Sequence, residues 1–427
     1  MHWANAVSPP NVIRVTSTQP AVLPWEGHPR GSSQYRRLVL ALLFAGIATF
    51  AQLYSVQGIL PLIAADLDIT PSQSSLTVGL GTVGVAVSVI PWSVAADRIG
   101  RVRAMTISIL TATTLGLLLP LAPSFEVLLA VRFLEGAAMG GLPAIAMAYL
   151  SEEVNRNHTA VAAATYVSGT TLGGLLGRIV AGPVAEYTNW RIGTLTVSMI
   201  AALAAALFVW LAPKPRTALV HSEIRELPGR LWVNLREPGM AALYGQAFLL
   251  MGGFVAIYNF LGFRLEAVPF GLPQSLISMI FVAYLSGTAS SRIAGKLATK
   301  HGRSVVLAGS TATMIAGVAL TMAANLAVIL IGLVVLTMGF FAAHAIASGW
   351  TGQRAVHGRA QATSLYNLFY YGGSSVVGWI GGVVFQTLGW NALALFVIAL
   401  AVTSGVWAMC LKDRLAQPVS VGLGRSR

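Results

Sequence analysis

Ser93-Val-Ala-Ala-Asp97-Arg98-Ile-Gly100-Arg101-Val-Arg103 is a short charged turn between two long apolar runs, 72–95 and 104–122. A run of about twenty apolar residues is long enough to cross the ~30 Å hydrocarbon core of a bilayer as a helix. Arg98, Arg101 and Arg103, with Gly100 for a tight reversal, make a hairpin connection that stays on one side of a membrane. The same pattern recurs outward in both directions. Apolar stretches are expected to span at 38–63, 72–95, 104–122, 127–150, 160–183, 192–212, 240–263, 274–294, 304–323, 326–349, 361–385 and 391–411. The longest interruption, 213–239, carries Lys214, Arg216, Arg225, Arg230 and Arg236, and divides the twelve into six plus six.

Composition agrees. Of 427 residues, 56% are apolar and 10% charged, whereas soluble domains run nearer 25% charged. An ordinary soluble enzyme, a disordered chain and a fibrous one are excluded. Cys410 is the single cysteine, so disulfides and cysteine metal sites are excluded. The first residues form no secretory signal: they are polar, with Pro9, Pro10, Pro20, Pro24 and Pro29 and no apolar core.

The net charge of +13 is a matter of topology. With the N-terminus in the cytoplasm, 23 of the 27 Lys and Arg lie inside. They fall in residues 1–37, in the Arg98–Arg103 turn, at Arg156, in the central loop, at Arg292, Lys296, Lys300 and Arg303, at Arg354 and Arg359, and in the last sixteen residues. Only Arg191 and Arg264 fall outside. This positive-inside bias orients both termini to the cytoplasm, against an anionic leaflet, and removes the case for nucleic acid as a partner.

The halves repeat. Gly100-Arg101 is matched by Gly302-Arg303, Gly177 by Gly378, and Trp190 by Trp390, at offsets of 202, 201 and 200. Duplication of a six-helix unit places a binding site near the midplane, between two bundles that rock against each other. The expected units are a disordered tail over 1–36, a first bundle over 37–212, a cytoplasmic central loop over 213–239, a second bundle over 240–411 and a tail over 412–427. Leu227–Leu235 in the loop suits a short helix lying on the inner leaflet as well as it suits a solvated linker.

The turn resembles the G-x-x-x-D-R-x-G-R-[KR] signature of the major facilitator superfamily, with Ser93 in place of the first glycine and Val102 at a usual basic position. Arg132-Phe-Leu-Glu135-Gly136 in the fourth span resembles that superfamily's R-x-x-x-G motif. The likeness covers residues 36–412. Within the superfamily, four segments are similar to the YnfM-type branch, grouped with arabinose-efflux and drug/proton antiporter-like permeases. They are Tyr54-Ser-Val-Gln57-Gly-Ile-Leu-Pro61, Gly173-Gly-Leu-Leu-Gly177-Arg178, Tyr258-Asn259-Phe-Leu-Gly-Phe-Arg264 and Phe340-Phe-Ala-Ala-His344. The resemblance implies an all-α membrane protein with twelve transmembrane helices in two pseudo-symmetric bundles. It also implies a conformational latch at Asp97, Arg98, Gly100 and Arg101, and a role in proton coupling for Arg132. The second-half copy, Gly295 to Arg303, lacks the aspartate.

Arg132, Glu135 and Arg178 are the charges well inside the expected spans, where charge is costly and usually functional. Arg132 and Glu135, at i and i+3, share a helix face. Arg178 lies at comparable depth in the fifth span, so Glu135 is expected between two arginines. A carboxylate so placed can alternate between pairing and protonation; a static triad that only fixes packing is the competing reading. Gly169, Gly173 and Gly177, four apart, predict a close helix contact.

Tyr54, Gln57, Tyr258, Asn259, His344, Tyr366, Asn367 and Tyr370 are candidate cavity residues, since aromatics with a few amides suit an uncharged or amphipathic ligand. Interhelical hydrogen bonding is the competing role for each. Trp190 and Trp390 are expected to anchor helices at the outer interface. The histidines lack metal-ligand spacing, so no metal, cofactor or catalytic site is expected.

The sequence therefore points to a monomeric transporter in the cytoplasmic membrane. It is expected to export a small organic molecule, drug-like or metabolite, against inward proton flow. Uptake or facilitated diffusion of a polar metabolite is the alternative. A membrane enzyme or a sensor is remote, because no cluster of interfacial acids and nucleophiles, nucleotide-binding loop or soluble domain is visible.

Overall fold

The computed structural model describes residues 26–213, 227–355 and 358–411. The expected tails over 1–25 and 412–427, residues 214–226 of the expected central loop, and Val356-His357 lie outside the described residues. The described chain is helical apart from one isolated β-bridge, His28 to Val154. The first half contains α1 (Ser33–Leu53), α2 (Leu60–Asp66), α3 (Pro71–Ile99), α4 (Arg101–Leu118), α5 (Phe125–Met139), α6 (Leu142–Glu153), α7 (Thr159–Tyr187) and α8 (Trp190–Leu211). After α9 (Leu227–Arg236), the second contains α10 (Pro238–Glu266), α11 (Gln274–Met279), α12 (Tyr284–His301), α13 (Arg303–Leu320), α14 (Leu326–Arg354) and α15 (Arg359–Cys410). α15 is broken at Gly389, whose φ is 79°.

Polar caps start the apolar helices. Thr70, Ser124, Asn189 and Asn325 each accept a hydrogen bond from a first-turn backbone N–H; such caps satisfy donors that lipid cannot. All twelve expected stretches fall on helix, with some interruptions. By length and apolarity, nine segments among the described residues qualify as membrane-crossing, the last of them running through the Gly389 break. The expected fourth span is divided at Gly140-Gly141 into α5 and α6, and α7 is diluted by glycine, threonine and Arg178. The expected first span is also broken, by a 3-10 turn at Gln57–Ile59.

Structure begins earlier than expected. Residues 26–36 are expected in the tail, yet the His28 N–H donates to Glu153 O at 2.7 Å and α1 starts at Ser33. The 227–235 segment, which suits a helix and a linker equally in sequence, is helical as α9.

The repeat is visible in the backbone. Gly100 (φ 95°, ψ 146°) joins α3 to α4, and Gly302 (φ 85°, ψ 154°) joins α12 to α13 in nearly the same conformation. A side chain is strained there, so both turns require glycine. Close helix pairs repeat too. A Cβ on Gly169, Gly173 or Gly177 of α7 would overlap the carbonyls of Leu43, Ile47 or Ala51 on α1, and one on Gly373 of α15 would overlap that of Phe248 on α10. The expected glycine stripe is the α1–α7 contact.

The two cores differ. The second half is one continuous apolar cluster running from Met240 to Leu411. The first is divided into three clusters, one of which takes in Tyr371 from the second half.

Candidate functional site

The break in α1 sets up the first feature. Helix ends leave carbonyls without intrahelical partners and carry partial negative charge. Arg132 of α5 meets that end: its Nη1 donates to Gln52 O at 3.1 Å and its Nη2 to Leu53 O at 2.5 Å. Its Nε donates to Thr77 O of α3 at 2.9 Å. Nη1 also pairs with Glu135 Oε2 at 2.6 Å, and both residues are buried, at 0% and 1% exposure. Glycines make the room. A Cβ on Gly81 would come within 2.8 Å of Arg132 Nη2, and one on Gly136 would overlap Gly81 O.

The second carboxylate oxygen of Glu135 faces elsewhere. A Cβ on Gly116 of α4 would overlap Gln52 Oε1 and lie 3.0 Å from Glu135 Oε1 and 3.2 Å from Ser198 Oγ. Gln52 Nε2 donates to Ala48 O at 3.1 Å and to Thr113 Oγ1 at 3.3 Å, while its Oε1 is buried without a hydrogen-bond partner. Two acceptor oxygens thus face one small space.

Arg178 does not join this pair. Its Nε donates to Gln57 Oε1 at 2.8 Å, its Nη1 to Gly174 O at 2.6 Å and its Nη2 to Tyr284 Oη at 3.4 Å. The Tyr54 ring lies 3.9 Å from the guanidinium carbon, Tyr284 4.6 Å and Phe281 5.0 Å. Glu135 therefore has one arginine beside it, where two were expected.

Arg178 sits where the halves meet. Gln57 Nε2 donates to Asn259 Oδ1 of α10 at 2.7 Å. Thr82 of α3 and Ser375 of α15 bond through their hydroxyls at 2.7 Å, Ser72 donates to Gln386 at 2.9 Å, and the Ser275 N–H donates to Glu186 at 2.6 Å. Gln274 Nε2 donates to Gly58 O. These bonds form a seam toward the end of the bundle opposite the Arg98–Arg103 turn.

The expected cavity residues separate into groups. Tyr54, Gln57 and Asn259 surround or adjoin Arg178. His344, Tyr366 and Tyr370 line one concavity with Gln246 and Phe340; His344 Nδ1 is 3.0 Å from Tyr366 Oη, and its ring centroid 4.8 Å from that of Tyr370. Tyr258 points into the second core, its hydroxyl 2.7 Å from Thr337 Oγ1. Asn367 is half-buried in α15. An aromatic wall connects the groups: Tyr284 edge-on to Phe254 at 5.4 Å, Phe254 stacked on Phe340 at 4.0 Å, and Phe340 facing His344 at 6.0 Å. Sequence reasoning missed Gln52, Phe281 and Tyr284. Gln52, an amide within an apolar run one turn before Gln57, was the available signal.

In the charged turn, Arg101 bridges Asp97 at 2.7 Å and Glu152 of α6 at 2.9 Å. Arg98 is exposed. Trp190 and Trp390, expected at the lipid interface, are buried at 2% and 7% exposure. Their indole N–H groups donate to Asp66 Oδ2 at 2.7 Å and Thr321 O at 3.0 Å.

Bundles of this form, with paired glycine turns and a polar seam, define a membrane transporter of the major facilitator class. Residues 42–378 match the Major Facilitator Superfamily. The chain is 36% identical over 392 residues to the inner membrane transport protein YnfM of Escherichia coli (strain K12), covering 90% of this chain and 93% of that protein. It is 35% identical over 397 residues to the uncharacterized MFS-type transporter YybF of Bacillus subtilis (strain 168), covering 92% and 96%. Its fold matches a bacterial homolog of the human lysosomal transporter Spinster in an inward-facing and occupied conformation. That match has a TM-score of 0.72 and 17% identity, covering 89% of this chain and 97% of the other. The chain belongs to the major facilitator superfamily and is a transporter rather than an enzyme.

Proposed function

We propose that the protein exports a small organic compound across the cytoplasmic membrane in exchange for protons, by alternating access, with both termini inside. The reading rests on the buried Arg132–Glu135 pair, which ties α5 to the broken end of α1 and to α3. Ionised, Glu135 holds Arg132 by a charge-assisted bond. Protonated, it loses the charge that balances Arg132, and Gln52 Oε1, which lacks a hydrogen-bond partner among the described residues and lies beside the same glycine as Glu135 Oε1, is the acceptor we assign to the new O–H. The proton thus changes which helix Glu135 grips, α5 alone or α5 with α1. A ligand or ion that grips two arrangements differently shifts the balance between them.

The seam from Gln57–Asn259 to Ser72–Gln386 is the outer gate in this reading, a role supported by its hydrogen bonds between the halves. Opening it costs these hydrogen bonds. The Asp97–Arg101–Glu152 bridge is the inner latch, poised on the first half at the opposite end.

Transport in proteoliposomes with an imposed pH gradient tests the coupling. Glu135→Gln keeps the shape but cannot take up a proton; it is expected to abolish gradient-driven transport while ligand exchange persists, with a lowered melting temperature because Arg132 loses its counter-ion. Full pH-driven transport by this variant would remove Glu135 from the mechanism.

A further inference from the structure

We infer that Arg178 is a recognition site for the carboxylate of an organic anion whose flat, apolar body lies against the aromatic wall. This rests on the transporter reading and specifies the substrate class. Arg132 has its counter-ion at 2.6 Å, whereas no carboxylate of the described residues forms an ion pair with Arg178. Arg178 is nonetheless 3% exposed. A cation held inside the membrane zone without an anion is costly, and the cost is relieved when an anion arrives.

The donor count agrees. A guanidinium has five N–H groups. Three have protein acceptors, one on Nε and one on each terminal nitrogen. One N–H on each terminal nitrogen is left, and a carboxylate takes bonds from two such groups in parallel.

The surroundings supply selectivity. Tyr54 from the first half, with Phe281 and Tyr284 from the second, approach the guanidinium at 3.9–5.0 Å. These rings hold the cation by its π faces and leave it no competing acid. Gln57 orients it from the first half while bonding Asn259 of the second. An anion bound at Arg178 therefore touches groups from both halves, at the boundary that moves in alternating access. Inorganic anions would satisfy the charge but not the rings.

The test uses purified full-length protein with benzoate, hexa-2,4-dienedioate, acetate, chloride and the neutral isostere benzamide, read by melting temperature and titration calorimetry. Benzoate and the dienedioate are expected to raise the melting temperature of wild type, acetate and chloride to do so less, and benzamide not at all. Arg178→Gln should weaken benzoate binding about ten- to a hundredfold, the scale of a lost charged hydrogen-bond pair. Tyr54→Leu retains the charge, and should lower benzoate affinity while leaving acetate unchanged. That variant keeps the test open if Arg178→Gln fails to fold.

The idea is overturned if neither carboxylate binds wild type, if benzamide binds as tightly as benzoate, or if Arg178→Gln binds benzoate like wild type. Glu135→Gln separates this failure from that of proton coupling. Carboxylate binding that persists in Glu135→Gln, together with full pH-driven transport, keeps the anion site and sinks the coupling. Loss of all carboxylate binding in wild type, with pH-driven transport of another compound intact, does the reverse.

Discussion

The two halves share a fold but not an interior. At the offset of 201 that relates the start of α5 to that of α14, Arg132 and Glu135 correspond to Leu333 and Leu336. Both leucines are buried in a core without a break, which also holds the stacked rings of Phe254 and Phe340. The first half keeps its charges at the cost of a divided core, with glycine on three sides of them at Gly81, Gly116 and Gly136. Packing therefore does not require the ion pair at this position, since the other half fills it with leucine. In the proposed cycle the first half changes its contacts, while the second holds shape and presents an aromatic surface.

The largest effect should come from making the halves alike. Arg132→Leu alone leaves Glu135 buried without its partner and frees three backbone carbonyls; it should cost about 3–5 kcal/mol, measured by thermal or denaturant unfolding in detergent. Adding Glu135→Leu copies the second half, and should recover most of that loss while leaving no pH-driven transport. If the double variant is as unstable as the single one, the pair is structural and the comparison fails.

A smaller effect separates the helix contacts. A Cβ at Gly177 overlaps the Ala51 carbonyl, whereas at Gly378 it meets Val255 Cγ1 at an ordinary 3.6 Å. Gly177→Ala should lose about 1–3 kcal/mol by overpacking. Gly378→Ala should be neutral or slightly stabilising through helix propensity. Melting curves of the two variants decide; equal losses would mean that the α10–α15 contact is as tight as the α1–α7 contact at this level.

The smallest concerns Glu237, which caps α10 and pairs with Arg354 at 2.9 Å. Partial burial pushes its carboxyl up, but the bonds from Arg354 and the Met240 N–H outweigh this and hold it below the ordinary value. A carboxyl lowered on folding stabilises above its unfolded value, about 4.3, and loses that contribution as pH falls through its folded value. Melting temperature should therefore drop on acidification below about pH 4, by the equivalent of less than about 1 kcal/mol. Glu237→Gln should flatten that part of the profile.

Much of this was legible along the chain, for a physical reason. Lipid demands internal backbone bonding and long apolar runs, so helices declare themselves by length. Gly100 and Gly302 marked paired turns, and Gly169, Gly173 and Gly177 marked a contact. The pairing of Arg132 with Glu135 followed from spacing on a single helix. Trp190 and Trp390 misled, because an indole N–H bonds a carbonyl or carboxylate of the protein as readily as it does an interface. Arg178 misled in a more useful way: depth along a helix fixes height in the membrane but not the direction in which the side chain points.

By itself, then, the sequence determined what is periodic or local: helical spans, the repeat, the turns, the bias of basic residues and the i, i+3 pair. Tertiary structure decided what depends on rotation and on breaks in helices. It put the end of α1 against Arg132, brought Gln52 Oε1 and Glu135 Oε1 both close to Gly116, and surrounded Arg178 with rings from both halves. Such contacts join residues 80 and 106 positions apart, and no pattern along one helix encodes the face that its neighbour presents.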